Sequence, residues 1–295
     1  MTKTAWVFPG QGSQAIGMGM DLLDISYAKD RFDLAEEILG WSVIDICQSE
    51  DDKISRTLYT QPCMYVVESI LADLLREQGQ QPDLVAGHSL GEYIALYVAG
   101  VFEWSAGLRL IQRRAELMDS VAGGMMAALI GFDREQLEQK IQQTPDVVLA
   151  NDNSPAQVVI SGTPAAVEAV ISQVKKKRAI PLKVSGAFHS PFMAAAATEF
   201  QQVLESVSFK PAQIPVLSNV EPIPSMDTKV LKERLSRQIT GSVRWRETSL
   251  RLPEEGIERV VEIGPGTVLT GLIKRTCPDV TLENVSSLED LPVSS

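Results

Sequence analysis

A serine at position 89 lies inside a Gly-x-Ser-x-Gly motif that spans residues 87–91. The apolar run 84–86 before the motif predicts a buried strand, and residues 92–99 after it predict a helix. A sharp turn between strand and helix exposes the serine Oγ, and flanking glycines let neighbouring elements approach the turn closely. Backbone N–H groups at the start of the helix would face a developing oxyanion. The pattern therefore predicts a nucleophilic serine.

A serine hydroxyl needs a base within hydrogen-bonding distance, and the chain has two histidines, His88 and His189. Neighbours on a sharp turn usually point apart, so His189, in the loop-like stretch 185–191, is the better candidate for the base of Ser89. By hydrolase logic Glu262, at the end of a predicted strand, could orient the imidazole, although such a carboxylate is more often a cap. About 100 residues follow His189, which argues against an ordinary α/β-hydrolase.

Arg114 is the second residue that could do chemistry. At 100° per residue it falls inside the apolar face of a predicted helix, whereas Arg113 falls on the solvent face. A cation that points into the interior is costly without a partner, which could be an internal carboxylate or a carboxylate of the substrate. A nucleophilic serine with a buried arginine points to an acyl group that ends in its own carboxylate. The apolar positions are Leu108, Leu110, Ile111, Ala115, Leu117 and Met118.

A glycine-rich stretch, residues 8–14, follows the predicted first strand. Two glycines around Gln11 allow a tight loop whose N–H groups could approach a ligand. The stretch lacks the lysine and the spacing of a phosphate-binding P-loop. Its position after an early strand is where a hydrolase-like fold places its second oxyanion donor.

Composition excludes several function classes. The chain has 295 residues, 44% of them hydrophobic, and a net charge of −11, which argues against nucleic-acid binding. There is no run of 18 apolar residues, so no membrane span is expected. Three cysteines without metal-ligand spacing suggest a reducing, cytosolic compartment and no zinc site. The basic cluster 175–178 is either a solvated helix end or a docking patch for an acidic partner or a phosphate-bearing substrate.

The order of predicted elements suggests two subdomains. Residues up to about 124 alternate short apolar runs with helical stretches, as in α/β folds. The stretch 125–185 gives the order β-α-β-β-α-β of the ferredoxin-like unit, with a helix from Thr163 to about Arg178 and a closing strand at 180–184. We therefore predict an α/β fold in which a hydrolase-like core with a parallel sheet (1–124 and 193–295) carries an inserted ferredoxin-like subdomain (125–192).

Several motifs in this order resemble those of the malonyl-CoA:acyl-carrier-protein transacylases, acyltransferases that load malonyl groups for fatty acid synthesis. The similarity runs nearly from end to end of the chain, and motifs of this length and order are highly specific. The matching stretches are FPGQGSQ at 8–14, GHSLGEY at 87–93, RRAELM at 113–118, GAFHSPFM at 186–193, VRWRET at 243–248 and EIGPGTVLTGL at 262–272.

The resemblance implies a ping-pong reaction through a malonyl ester of Ser89. His189 would be the general base and acid, oriented by a backbone carbonyl at Gln238 rather than by an acidic side chain. The N–H groups of Gln11 and Leu90 would form the oxyanion hole. It also implies that no cofactor is bound, because malonyl-CoA is the substrate and the phosphopantetheine belongs to the acyl carrier protein.

The resemblance further assigns substrate contacts. Arg114 would clamp the malonyl carboxylate, and His88 would line the substrate site. Phe188 would fill the space that a methylmalonyl branch needs, which supplies only about 1–3 kcal/mol of selectivity. Lys177 and Arg178 match positions implicated in carrier-protein contact. The chain departs from the family pattern after the arginine, where a glycine is common and this sequence has alanine.

The expected partners are acyl carrier protein and malonyl-CoA, with no nucleic acid or membrane, and the expected state is a cytoplasmic monomer. Three alternatives stay open. The protein could be a free-standing acyltransferase that serves a polyketide synthase. It could be a serine thioesterase, which would have no use for Arg114 in an apolar face. It could be a non-catalytic module that binds carrier protein, in which case Ser89 would be dispensable.

Overall fold

The structure is a computed structural model that describes residues 2–292; position 1 and positions 293–295, which the predicted large subdomain includes, lie outside the described residues. None of the helices in 2–292 combines the length and apolar character needed to cross a membrane. The strands are β1 (Thr4–Phe8), β2 (Leu84–Gly87), β3 (Met125–Ile130), β4 (Val147–Ser154), β5 (Gln157–Gly162), β6 (Arg178–Pro181), β7 (Val216–Leu217), β8 (Arg259–Ile263) and β9 (Thr281–Val285). The α-helices are α1 (Ser26–Leu39), α2 (Val43–Gln48), α3 (Thr57–Glu77), α4 (Gly91–Val98), α5 (Trp104–Ser120), α6 (Arg134–Gln143), α7 (Pro164–Gln173), α8 (Ala194–Ser206), α9 (Thr228–Gln238), α10 (Trp245–Glu254) and α11 (Val268–Thr276).

A parallel sheet with the strand order β7-β2-β1-β8-β9 forms the centre of the larger part. β1 and β2 are apolar and buried along their whole length because helices cover both faces of the sheet. The register pairs Phe8 with Gly87 and Ala86 with Leu217. The carboxyl ends of β1, β2 and β7 therefore meet at one edge, where open α/β sheets bind their ligands.

A separate antiparallel sheet has the order β4-β5-β3-β6, which is the strand order of a ferredoxin-like unit. Asp133 caps α6 and Thr163 caps α7, with a proline at the first position of the second helix. The predicted α/β class, with a parallel sheet and a second smaller sheet, is confirmed. All four antiparallel strands lie within the predicted small subdomain at 125–192, whose exact division stays a prediction.

The helix that was predicted to run from Thr163 to about Arg178 is shorter than expected. α7 ends at Gln173, because buried Val174 takes an extended conformation and turns the chain away. Lys176 Nζ then donates to the carbonyl oxygens of Ile171 and Val174 at the helix end. The basic cluster 175–178 is therefore a loop that leads into β6 rather than a helix end, and the strand expected at 180–184 begins earlier.

Contacts of β4 join the two sheets to one another. Asp152 N donates to Val243 O (2.9 Å), and Val243 N donates to Ala150 O (2.8 Å). The buried Asp152 carboxylate also receives hydrogen bonds from Arg246 Nε (2.9 Å) in α10 and Arg134 Nη2 (2.8 Å) in α6. A buried carboxylate held by arginines of α6 and α10 therefore fixes the antiparallel sheet against α10 of the larger part.

Candidate active site

The turn that carries Ser89 is crowded by backbone from three sides. Ser89 follows β2 with a φ of 54°, in the left-handed region that non-glycine residues rarely adopt. A Cβ on Gly87 would lie 2.0 Å from the backbone of Gly91, and a Cβ on Gly91 would lie 2.1 Å from Phe8 O. Both motif glycines are therefore needed because β1, β2 and α4 touch at this turn.

The hydroxyl of Ser89 lies 2.8 Å from His189 Nε2. The other ring nitrogen, Nδ1, lies 3.0 Å from Gln238 O and 3.1 Å from Gly241 O. Carbonyl oxygens only accept hydrogen bonds, so Nδ1 carries the proton and Nε2 presents its lone pair to the serine. Burial, and then the charge of Arg114, lower the pKa of His189 to about 3. The imidazole is thus neutral at pH 7 and able to accept a proton.

Arg114 is 1% exposed, as the periodicity of α5 predicted. Its Nη1 donates to Gln61 Oε1 (2.7 Å), and its Nη2 donates to Ser89 Oγ (3.0 Å) and Gln238 Oε1 (3.2 Å). All three acceptors are neutral, and within residues 2–292 the guanidinium makes no hydrogen bond or salt bridge to a carboxylate. A buried cation with only neutral partners favours an anionic ligand beside the serine.

A cavity of about 70 Å³ opens above these groups. Phe188 is buried and forms part of its wall. Gln11 and Leu90 line the cavity, and no backbone acceptor in the described part of the chain meets the N–H group of either residue. The space suits a short acyl group with its carbonyl oxygen near these two donors. The cavity is lined by Gln11, Gln61, His88, Ser89, Leu90, Arg114, Met118, Met126, Asn151, Leu182, Val184, Phe188 and His189.

His88 also borders the cavity but points away from the base. Its Nε2 lies 2.9 Å from Asn153 Oδ1, and its ring meets Trp245 edge-on at 5.6 Å. Burial lowers the pKa of His88, so this ring is neutral as well. The two histidines therefore have separate tasks, since only His189 reaches the serine.

Glu262, the acidic side chain suggested by hydrolase logic, is a helix cap. Its two oxygens accept hydrogen bonds from Leu269 N (2.9 Å) and Thr270 N (2.7 Å) at the start of α11. Carboxylates are favourable at this end of a helix because the N–H groups there have no partner within the helix. The imidazole of His189 is held by backbone carbonyls instead.

Lys177 and Arg178 are exposed at the start of β6. The same segment continues to Leu182, which lines the cavity. At about 3.3 Å per residue in a strand, Arg178 lies roughly 13 Å from Leu182 along the chain. The basic pair therefore belongs to the segment that leads to the cavity wall, and neither residue lines the cavity itself.

Across residues 2–292, no three His, Cys, Asp or Glu side chains come together as a metal site would require. The three cysteines are buried and unpaired.

Three residues of the site were missed from sequence. Asn219 accepts a hydrogen bond from Ser89 N (2.7 Å) and donates to Gly87 O (2.6 Å), so its amide spans the strained turn. Gln61 accepts a hydrogen bond from Arg114, and Glu92 accepts a hydrogen bond from the side chain of Gln238. Glu92 is the one charged residue in the otherwise apolar sequence of α4, and that contrast could have identified it.

Comparison with known proteins assigns the chain to a family. The model of the acyl transferase domain matches residues 5–292. The chain belongs to this acyl transferase family. It is 60% identical to a malonyl CoA-acyl carrier protein transacylase from Synechocystis sp. (strain PCC 6803), over 98% of this chain and 99% of the relative.

Solved structures of the acyl transferase family agree with this assignment. The crystal structure of the Synechocystis sp. PCC 6803 malonyl-CoA:ACP transacylase matches with a TM-score of 0.96 over 98% of each chain, at 60% identity. A malonyl-transacylase solved in complex with a type II polyketide synthase acyl-carrier protein matches with a TM-score of 0.93 at 36% identity, over 98% of this chain and 97% of that one.

Proposed function

We propose that the protein transfers the malonyl group of malonyl-CoA to the phosphopantetheine thiol of acyl carrier protein, for fatty acid biosynthesis. The observation that carries this proposal is the position of Ser89 Oγ, 2.8 Å from His189 Nε2 and 3.0 Å from Arg114 Nη2. The base serves nucleophilic attack, and the buried cation suits an acyl group with a free carboxylate. The similarity to a malonyl-CoA transacylase at 60% identity supports the same substrate.

In the first half-reaction, Ser89 Oγ attacks the thioester carbonyl carbon while His189 Nε2 takes the hydroxyl proton. The negative charge that develops on the carbonyl oxygen is stabilised by the N–H groups of Gln11 and Leu90. The C–S bond then breaks, and the CoA sulfur leaves as a thiol with the proton from His189. The malonyl carboxylate stays paired with Arg114.

The second half-reaction repeats these steps with the carrier's thiol as the nucleophile. His189 takes the thiol proton, the sulfur attacks the ester carbonyl, and the proton returns to Ser89 Oγ as the C–O bond breaks. Phe188 and His88 border the acyl site, so we assign them to substrate binding. Lys177 and Arg178 would dock the acidic carrier protein near the cavity mouth. Buried free cysteines fit a reducing cytoplasm.

Intact-protein mass spectrometry tests the proposal. After mixing with malonyl-CoA, the wild-type protein should gain one malonyl group, and Ser89→Ala should gain none. Stopped-flow quenching with a thiol then separates transfer from hydrolysis. If water discharges the malonyl-enzyme faster than the thiol captures it, the protein is a thioesterase and the transferase proposal fails.

A second candidate is service to a polyketide synthase. One observation favours it, namely the match to a transacylase solved with a type II polyketide synthase carrier protein. Comparing kcat/KM for carrier proteins of both pathways separates the two roles. A clear preference for the polyketide carrier would favour this candidate over fatty acid synthesis.

A further inference from the structure

Glu92 is a fully buried carboxylate one turn below the nucleophile. Its Oε2 accepts hydrogen bonds from Gln238 Nε2 (2.7 Å) and from Asn219 N (3.1 Å). Both neighbours are donors, so Oε2 acts as the acceptor, and no hydrogen-bond partner meets Oε1 within residues 2–292. Burial raises the pKa of Glu92, and the donors and the nearby Arg114 charge oppose that rise.

The amide of Gln238 joins Glu92 to the arginine. Its Nε2 donates to Glu92, while its Oε1 accepts a hydrogen bond from Arg114 Nη2 (3.2 Å). Because one end of the amide is a donor and the other an acceptor, it can bridge a buried anion and a buried cation in only one orientation. The side chain of Gln238 thus links the carboxyl group of Glu92 to the guanidinium of Arg114.

We propose that Glu92 is a specificity-determining residue that weakens the hold of Arg114 on the acyl carboxylate. This inference rests on the proposed malonyl transfer. A ping-pong enzyme must form its acyl intermediate and also release it, so a clamp that binds the acyl-enzyme too tightly would slow the second half-reaction. The negative charge of Glu92 repels the incoming carboxylate. It also offsets part of the positive charge of the guanidinium that binds this carboxylate.

The isosteric variant Glu92→Gln separates charge from geometry. An amide oxygen at position 92 still accepts hydrogen bonds from Gln238 and Asn219, while the charge is lost. With one buried charge removed at a distance of one bridging side chain, the ratio of kcat/KM for malonyl-CoA to that for acetyl-CoA should rise about tenfold. The KM for malonyl-CoA should fall, and discharge of the malonyl-enzyme to a thiol should slow.

Glu68→Gln is the matched control. Glu68 is also fully buried, but no hydrogen-bond partner meets its carboxyl oxygens within residues 2–292. Burial, together with the charge of Glu262, raises the pKa of Glu68 well above its usual value. Glu68 also has no hydrogen bond to Gln238 or Arg114, so its substitution leaves the link between Glu92 and the guanidinium intact. It should leave the malonyl-to-acetyl ratio unchanged.

A double-mutant cycle with Arg114→Ala completes the test. Without the guanidinium, the part of the effect that acts through Arg114 is lost, so Glu92→Gln should change the ratio less than it does in the wild-type background. If Glu92→Gln is too unstable to assay, thermal unfolding replaces kinetics, and its loss of stability should be smaller in the Arg114→Ala background. Equal losses in both backgrounds would overturn the inference.

The outcomes distinguish the inference from the proposed function. Failure of the wild type to form a malonyl ester at Ser89 refutes malonyl transfer itself. If the wild type is acylated but Glu92→Gln has the same malonyl-to-acetyl ratio as the wild type, only the role of Glu92 is overturned. If Glu92→Gln is acylated by neither malonyl-CoA nor acetyl-CoA, the inference about Glu92 is also overturned. Glu92 would then stabilise the serine turn rather than weaken the binding of the acyl carboxylate by Arg114.

Discussion

Removing the guanidinium of Arg114 should reverse the acyl preference of the enzyme. Arg114→Ala deletes two donor groups, Nη1 and Nη2, that face Gln61 and Ser89 within 2.7 Å and 3.0 Å. In the proposed complex these groups hold the malonyl carboxylate. Acetyl-CoA has no carboxylate, so it loses little when the arginine is absent.

The expected magnitude follows from the burial of this side chain. A hydrogen bond between charged groups contributes about 1.5–3 kcal/mol, so two of them contribute about 3–6 kcal/mol to binding of the transition state. At about 1.4 kcal/mol per factor of ten, kcat/KM for malonyl-CoA should fall by roughly 10²- to 10⁴-fold. For acetyl-CoA, loss of the donor to Ser89 opposes the gain in basicity of His189, and we expect a change of less than about tenfold.

Competition between malonyl-CoA and acetyl-CoA, with the acyl-enzyme measured by intact mass, reports the ratio directly. Arg113→Ala is the matched control, because this neighbouring arginine is partly exposed and pairs with Glu116 and Glu199, each at 2.9 Å. A ratio that is unchanged in Arg114→Ala, or rates that fall equally for both donors, would refute the role of the arginine as a carboxylate clamp.

Backbone crowding, histidine burial and the exposed basic pair each have a measurable consequence. In denaturant titrations, Gly91→Ala should lower the free energy of unfolding by about 3 kcal/mol, because the new Cβ would lie 2.1 Å from a carbonyl oxygen. The control Gly271→Ala, whose Cβ would meet nothing within 4 Å, should raise the free energy of unfolding by up to about 1 kcal/mol. Since the pKa of His189 falls from 6.5 to about 3 on folding, the unfolded chain binds the extra proton, and the free energy of unfolding should decrease as pH falls through this range. His189 should contribute up to about 1.4 kcal/mol per pH unit to this slope, and that contribution should be absent in His189→Leu. Replacing Lys177 and Arg178 by glutamate should raise the KM for carrier protein and reduce its salt dependence, while acylation by malonyl-CoA stays unchanged.

The fold was predictable where periodicity and turn residues agree. The strand before Ser89, the helix after it and the β-α-β-β-α-β order of the small sheet all follow from local patterns. The end of α7 did not, because the chain leaves the helix at Val174, a buried residue whose packing against the small sheet overrides helical continuity. Lysines 175–177 suit a helix end equally well, so their charge could not locate it.

The nucleophile and the buried arginine of the site were predictable from the sequence, but the residues that contact them were not. The glycines of the motif identify Ser89 in the sequence. Arg114 is identified because it is a charged residue on the apolar face of a predicted helix. The partners of these groups could not be derived from residue types, since they come from distant segments that meet at the carboxyl edge of the sheet. Asn219 lies 130 positions from Ser89 in the chain and contacts it because β7 pairs with β2. Sequence spacing contains no information about such a contact.

Two strained residues explain why the site needs so many buried polar partners. Ser89 and His189 have φ angles of 54° and 55°, and each such conformation costs about 1–2 kcal/mol for a residue with a Cβ. Such angles persist only when the surroundings fix them, and here the amide of Asn219 holds both sides of the serine turn while two carbonyls fix the imidazole. The strain aims Oγ and Nε2 at each other before any substrate arrives. Gln238, whose backbone carbonyl meets the imidazole, also donates from its side chain to Ser89 O and accepts a hydrogen bond from Arg114, so the nucleophile, its base and the buried arginine are positioned by one network.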